Sequence, residues 1–105
     1  MGRTVYNLHC GTCHLPTGLG DEEQGPRLAG GSLVVQAADP ASLINVILYG
    51  PEIPHPPLDT KRRKPMEEFQ YELTDAEVAA VATYLRSSWG NVGGLVSAEQ
   101  VAAQR

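Results

Sequence analysis

The stretch Asn7–Pro16, NLHCGTCHLP, contains both cysteines of this 105-residue chain and places a histidine on either side of them. A disulfide between Cys10 and Cys13 would close a very small ring, which constrains the unfolded chain far less than a long loop would. The spacing therefore does not favour a structural disulfide. The two cysteines are therefore expected to have a different function, and the fold expected for the chain depends on what that function is.

Cys10, Cys13 and His14 form the C-x-x-C-H pattern of covalent haem attachment. In a helical turn, residues three apart lie on one face, so both sulfurs can form thioethers with the two haem vinyl groups. The adjacent His14 is then held under the ring, where an imidazole nitrogen can reach the iron. The pattern predicts one haem c, bound through both cysteines and ligated by His14.

Two other uses of these residues remain open. A dithiol redox pair would favour a βαβ context, for which the sequence gives no pattern. A zinc site needs four ligands, which the available side chains could supply only with awkward crowding. Those side chains are His9, Cys10, Cys13, His14 and His55. Haem is the preferred interpretation, because a large apolar disc would also give this short chain a centre for its core.

Helical signals recur along the chain, and no strand pattern competes with them. Residues 2–9 read as a weak helix. Residues 39–50 combine an N-cap aspartate, a proline for the first helical position and a terminal glycine around one apolar face. Glycines and prolines predict a loop over 16–32, and prolines predict an extended, semi-rigid loop over 51–66.

Two capping boxes predict helices in the C-terminal part of the chain. Thr74 and Glu77 form the first box, before an apolar helical stripe that ends at Trp89. Ser97 and Gln100 repeat the arrangement before a short terminal helix or a frayed tail. The chain is therefore predicted to be small, all-α and rich in loops.

Together with the haem motif, further residues make the chain resemble the class I cytochrome c family over most of its length. Gly2 and Tyr6 precede Cys10 where that family has a small residue and an aromatic at a helix crossing. Tyr84 and Leu85 match the aromatic-leucine pair of the partner helix. The resemblance implies a small cytochrome c fold of three to five short helices and long loops around a covalently bound haem c.

The same resemblance implies how the chain is divided. Residues 1–90 would form the cytochrome c domain. Residues 91–105 would form a C-terminal extension, either a short helix or a frayed tail.

The segment Gly25–Leu28, GPRL, is similar to the G-P-x-L loop of this family. In that loop the proline carbonyl accepts a hydrogen bond from the haem-ligating histidine. By this resemblance Pro26 orients His14 and tunes the iron. Pro26 and Leu28 are accordingly expected among the haem-binding residues.

Met66 is the sole credible sulfur ligand for the far face of the haem, because the other methionine is the N-terminal Met1. It follows a proline, as the ligand methionine of the family often does. His14 and Met66 are thus the expected axial ligands of the iron, and such a pair raises the reduction potential, as suits an electron carrier. His55 is the rival ligand, and the alternative role for Met66 is to fill a gap in the core.

The implied function is one-electron transfer, not enzymatic catalysis, because two axial ligands leave the iron no site for a substrate. Three segments are also similar to cytochrome c subunits and domains of bacterial alcohol, aldehyde and sugar dehydrogenases. They are SLINVILYG (42–50), LTDAEVAAVATYLRSSWGN (73–91) and VSAEQVAAQR (96–105). This resemblance implies a quinoprotein or flavoprotein dehydrogenase as electron donor, and a terminal oxidase or another cytochrome as acceptor. It also implies a location in the periplasm or on the outer face of the bacterial cytoplasmic membrane.

Charge and hydropathy limit the partners. The chain has a net charge of −4 and no apolar run of about 18 residues, so neither a nucleic-acid partner nor a membrane span is predicted. The basic run 61–64 is either a solvated face or a patch that steers an acidic partner. The acidic run 21–23 could play the complementary role for a basic partner.

Two functions of other classes remain as alternatives. In a haem-based gas sensor, a diatomic gas would displace Met66 from the iron. In a peroxidase-like protein the iron would be open, but the sequence supplies no distal acid–base pair for that chemistry.

Overall fold

A computed structural model describes residues 1–20, 28–30, 33–50 and 68–105 of the chain. Within these ranges there are six helices and no strand. The helices are α1 (Gly2–His9), α2 (Gly11–His14), α3 (Leu33–Gln36), α4 (Ala41–Tyr49), α5 (Asp75–Ser87) and α6 (Ala98–Gln104). The all-α prediction is confirmed. The number of helices exceeds the expected three to five because α2 and α3 are separate single turns of four residues each.

Helices α1 and α5 approach each other closely at Gly2. A Cβ atom at this position would lie 2.3 Å from the carbonyl oxygen of Ala80 and 2.9 Å from the Cβ of Tyr84. One turn later, the buried Tyr6 ring packs against the Tyr84 ring, with 5.5 Å between the ring centroids. The helix crossing implied by the family resemblance is therefore present at the residues that the sequence indicated.

The apolar faces of α4, α5 and α6 form the rest of the core. Ile44 and Leu48 of α4, Val78 and Val81 of α5, and Val101 of α6 are almost completely buried. Each side chain of this size stabilises the fold by about 1.5–3 kcal/mol when it is removed from water. No helix in the described ranges has the length and apolar character that crossing a membrane requires.

Both predicted capping boxes are confirmed. At α5 the Glu77 N–H donates to Thr74 Oγ1 at 3.2 Å, and the Thr74 N–H donates to Glu77 Oε1 at 3.0 Å. At α6 the Gln100 N–H donates to Ser97 Oγ at 3.1 Å, and the Ser97 N–H donates to Gln100 Oε1 at 2.9 Å. Each box satisfies two backbone donors that helix geometry leaves without partners.

Helix α4 begins at Ala41, and Pro40, predicted as its first residue, precedes it. The capping carboxylate is nevertheless the predicted one, because Asp39 Oδ1 accepts a hydrogen bond from the Ala41 N–H at 2.9 Å. The helix ends at Tyr49, and the predicted terminal glycine, Gly50, follows it with a positive φ of 79°, although its ψ of 164° lies outside the left-handed helical region expected of such a cap.

The prediction that Trp89 lies on the α5 stripe is wrong. The helix ends at Ser87, Ser88 is extended, and Trp89 has a φ of 52°. From this turn the Trp89 ring packs edge-on against the rings of Tyr6 and Tyr84, at centroid distances of 5.1 and 5.6 Å. These ring contacts stabilise the turn after Ser87, so α5 does not continue. A hydrogen bond from the Asn91 N–H to the Ser88 carbonyl (2.9 Å) stabilises the same turn.

The segment 91–105 ends in the helix α6 and not in a frayed tail. Helix α6 packs against α4 and α5, and the Tyr49 hydroxyl of α4 donates to the Gln104 carbonyl at 3.2 Å. Val96 and Val101 are buried with the rest of the core. The domain boundary at residue 90 stays a prediction. The loop predicted over 51–66 lies outside the described residues.

Replacing Gly2 with alanine tests the α1–α5 crossing. The added methyl group would overlap the Ala80 carbonyl, and we expect a loss of about 1–3 kcal/mol in the free energy of unfolding. Denaturant unfolding of the haem-loaded protein measures this loss. Gly11→Ala is the matched control, because a Cβ there would meet its neighbours at 3.5 Å or more. Equal stabilities of the two variants would contradict the close crossing.

The first capping box predicts a dependence of stability on pH. The backbone N–H of Thr74, and then its hydroxyl, hold the pKa of Glu77 below its ordinary value. A lowered folded-state pKa contributes stability above the ordinary glutamate pKa of about 4.3 and loses it as the pH falls through the folded value. Glu77→Gln should therefore lose less stability than the unchanged protein between pH 6 and pH 3, in denaturant unfolding at each pH.

The second box provides the reciprocal control. Gln100 occupies in α6 the position that Glu77 has in α5, and an amide does not titrate in this range. Gln100→Glu should add a loss of stability in acid. Parallel pH profiles for all three proteins would disprove the role assigned to the Glu77 carboxylate.

Candidate haem site

The C-x-x-C-H motif begins where α1 ends and forms α2. The Cys10 N–H donates to the Tyr6 carbonyl at 2.8 Å and closes α1. The Cys10 carbonyl then accepts hydrogen bonds from the N–H groups of Cys13, at 3.2 Å, and His14, at 3.0 Å. These bonds place both sulfurs and the imidazole on a single turn, as the motif predicts.

The three side chains differ in exposure. Cys10 and His14 are each 7% exposed, whereas Cys13 is partly exposed. Burial, together with the neighbouring Cys13, raises the pKa of the Cys10 thiol to about 11. A thiol that stays protonated is a weak nucleophile, so the dithiol redox alternative gains no support from this site.

Hydrogen bonds connect the loop that follows α2, residues 15–20, to α1 and to His14. The Tyr6 hydroxyl donates to the Leu15 carbonyl at 2.6 Å, and the Gly20 N–H donates to the His14 carbonyl at 2.9 Å. Burial raises the pKa of Tyr6, so this hydroxyl remains a donor at all physiological pH values. Leu15 has a positive φ of 67°, which turns the chain away from α2. The end of the turn that carries His14 is therefore held by Tyr6 of α1 and by Gly20 of the loop.

Leu28 lies beside this loop. The N–H groups of Leu28 and Ala29 both donate to the Gly18 carbonyl, at 2.7 and 3.0 Å. The Leu28 carbonyl accepts from Asn91 Nδ2 at 2.9 Å, and the same amide donates to the Leu85 carbonyl at 2.9 Å. The Leu28 side chain is partly buried against the core. The structure thus brings Leu28 next to the loop that follows Cys10, Cys13 and His14.

The remaining predicted site residues lie outside the described residues. They are Pro26, Met66 and the rival ligand His55. The charged runs 21–23 and 61–64 are outside as well. The axial methionine, the orienting proline and the docking patch stay predictions.

His9 is exposed, and its ring packs edge-on against the Phe69 ring at a centroid distance of 5.6 Å. Within the described part of the chain, no group of three or more His, Cys, Asp or Glu side chains could hold a metal ion. The zinc alternative therefore finds no ligand set there.

Two thiols and a buried imidazole on one helical turn are the donor set of covalent haem c, so the residues fit this cofactor. The family model for cytochrome c matches residues 1–89 of the chain. The chain belongs to the cytochrome c family. Covalently bound haem c is accordingly its cofactor, and this cytochrome c is an electron carrier.

Several curated proteins are similar to this cytochrome c. The chain is 37% identical over 101 residues to the cytochrome c subunit of the alcohol dehydrogenase (quinone) of Gluconobacter oxydans (strain 621H), with 95% of the chain and 21% of that subunit covered. It is 34% identical over 105 residues to the subunit of the same name from Gluconacetobacter polyoxogenes, covering 99% of the chain and 22% of the relative.

A third relative belongs to a different dehydrogenase. It is the gluconate 2-dehydrogenase cytochrome c subunit of Pantoea cypripedii, 33% identical over 109 residues, with 99% of the chain and 24% of the relative covered. The chain thus spans less than a quarter of the length of each of these relatives.

A solved structure supports the fold. Dihydro-heme d1 dehydrogenase NirN in complex with DHE matches with a TM-score of 0.57 and 32% sequence identity. The match covers 80% of this chain and 15% of that one.

Arg86 is a buried residue that the sequence analysis missed. It is 2% exposed, and every acceptor of its guanidinium within the described part of the chain is a backbone carbonyl. The acceptors are Gly94 (3.3 Å), Val35 (3.2 Å), Ala37 (2.6 Å) and Gly93. A basic residue in the last turn of a helix is ordinarily an exposed partner of the helix dipole, so no local pattern indicated this role.

Replacing both cysteines with alanine tests the attachment site. We expect haem to be extracted by acidified organic solvent from the double variant, and to stay with the unchanged protein and with each single variant. Absorption of the extracted and residual haem measures the result. Haem that remained bound to the double variant after denaturation would place the attachment elsewhere.

Proposed function

We propose that this cytochrome c accepts single electrons from a quinoprotein or flavoprotein dehydrogenase and passes them to a terminal oxidase or another cytochrome. The observation that carries the proposal is the turn of Cys10, Cys13 and His14, in a chain similar to cytochrome c subunits of dehydrogenases. A haem on this turn would exchange electrons through its exposed edge.

The relatives support a dehydrogenase as the donor. Two are named as subunits of an alcohol dehydrogenase (quinone), and a third as a subunit of gluconate 2-dehydrogenase. What these different dehydrogenases share is a cytochrome c subunit that this chain resembles. We infer that the chain serves the same class of donor, whichever substrate that donor oxidises.

We further propose that the iron is held by His14 and Met66, because no other internal methionine is present in the sequence. Nitrogen and thioether ligands together favour the reduced iron and raise the potential. With both axial positions filled, small molecules have no open position on the iron. The role of this cytochrome c is then electron transfer without catalysis of its own.

The proposed location is the periplasm or the outer face of the bacterial cytoplasmic membrane. The support for it is the covalent haem and the resemblance to dehydrogenase cytochromes. The basic run 61–64 would steer an acidic partner to the haem edge, and its effect on the association rate would weaken as salt is added.

Carbon monoxide tests the axial ligand and the function together. We expect the absorption spectrum of the reduced holoprotein at neutral pH to be unchanged by carbon monoxide. Met66→Ala should convert rapidly and completely to a carbonyl spectrum, because it opens the far face of the iron. His55→Ala is the matched control, since it removes the rival ligand from the same part of the sequence, and it should behave like the unchanged protein.

The outcomes separate the alternatives. If the unchanged protein bound carbon monoxide rapidly, the iron would be open or labile, and gas sensing or peroxide chemistry would replace simple electron transfer. If His55→Ala opened the iron and Met66→Ala did not, the ligand assignment would be wrong and the carrier function would stand.

A further inference from the structure

Asn91 is a buried polar side chain in the turn that follows α5. It is 4% exposed, and its Nδ2 donates to two carbonyls that belong to different parts of the chain. One acceptor is Leu85, in the last turns of α5, and the other is Leu28, 63 residues away in sequence; both distances are 2.9 Å. One amide group therefore joins the end of α5 to the segment that carries Leu28.

The segment joined in this way lies next to the haem turn. The Leu28 N–H donates to the Gly18 carbonyl at 2.7 Å, and the Gly18 N–H donates to the Leu15 carbonyl at 3.0 Å. Leu15 directly follows His14, the predicted iron ligand. A continuous path of hydrogen bonds thus runs from Asn91 through Leu28 and Gly18 to the end of α2.

The turn that carries Asn91 holds the same loop through a second contact. A Cβ at Gly18 would lie 2.5 Å from the Trp89 ring, so this ring rests directly on the Gly18 backbone. Trp89 supplies apolar contact without fixing a direction, whereas the two hydrogen bonds from Asn91 set the position of the Leu28 peptide. Removing the amide would leave two inward-facing carbonyls without this donor, and water is the natural replacement.

We propose that Asn91 is a positioning residue for the haem pocket. It holds the Leu28 peptide against α5, and it thereby keeps the partly buried Leu28 side chain in the pocket wall and water out of it. Dryness around a haem favours the less charged, reduced iron, because the apolar shell controls solvent access and so the reduction potential. The inference rests on the haem site described above, and it does not depend on Met66 or on any partner.

The reduction potential of the holoprotein, measured by spectroelectrochemical titration, tests this proposal. Asn91→Ala should lower the potential, because water that enters beside Leu28 stabilises the oxidised iron. Asn91→Ser keeps one hydroxyl donor and should give an intermediate potential. It also carries the test if the alanine variant does not accumulate as a folded protein.

Thr83→Val is the matched control. The Thr83 hydroxyl accepts from the Val96 N–H at 2.9 Å and donates to the Val96 carbonyl at 3.2 Å. The variant thus also loses two hydrogen bonds between α5 and the segment after it, but neither bond involves Leu28 or α2. We expect it to lose stability in denaturant unfolding and to keep the potential of the unchanged protein.

Each result decides the question. A lower potential in the Asn91 variants, with that of Thr83→Val unchanged, supports the positioning role. Equal potentials in all the proteins, or an equal fall in Asn91→Ala and Thr83→Val, would reduce Asn91 to general stabilisation of the fold. The carbon monoxide experiment on the unchanged protein reports on the far face of the iron, so failure of the proposed function would be recognised separately.

Discussion

The close approach of α1 and α5 at Gly2 determines where the functional parts of this cytochrome c lie. With no side chain at Gly2, the backbone of α1 lies against the Ala80 carbonyl, and the tilted Tyr6 and Tyr84 rings pack together one turn further on. Helix α1 runs directly into the turn of Cys10, Cys13 and His14. The crossing consequently sets the direction in which both sulfurs and the imidazole face.

The end of α5 completes the arrangement from the other side. Trp89 packs on Tyr6 and rests on the Gly18 backbone, and Asn91 binds the Leu28 carbonyl. The haem turn is therefore held between the start of the chain and the turn after α5. These segments are far apart in sequence, but their contacts hold them together as one unit. Such an arrangement suits an electron carrier, because little atomic movement accompanies the gain or loss of an electron.

Local sequence signals predicted the local structure well. Some features depend only on residues a few positions apart, and their geometry could be predicted from the sequence. They are the capping boxes, the aspartate and glycine around α4, and the C-x-x-C-H spacing. Features that depend on distant partners were not predictable. The break after Ser87 comes from aromatic contacts of Trp89, and the burial of Arg86 and Asn91 comes from carbonyls of other segments. The helix α3 is a single turn of four residues, too short for a periodic apolar face, and it was not predicted.

The backbone acceptors of Arg86 limit which sequence changes this domain can accommodate. Within the described residues all of them are main-chain oxygens, so a change of side chain at position 37 leaves the guanidinium its partner there, whereas Val35 is also a buried core residue. An insertion in these segments would be costly, because it would move the carbonyl oxygens away and leave the buried Arg86 guanidinium without its acceptors. Gly93 is also restricted, since a Cβ there would lie 2.9 Å from the Arg86 Nε. Homologous domains that retain this arginine should therefore vary at position 37, keep glycine at position 93, and hardly change the length of these segments.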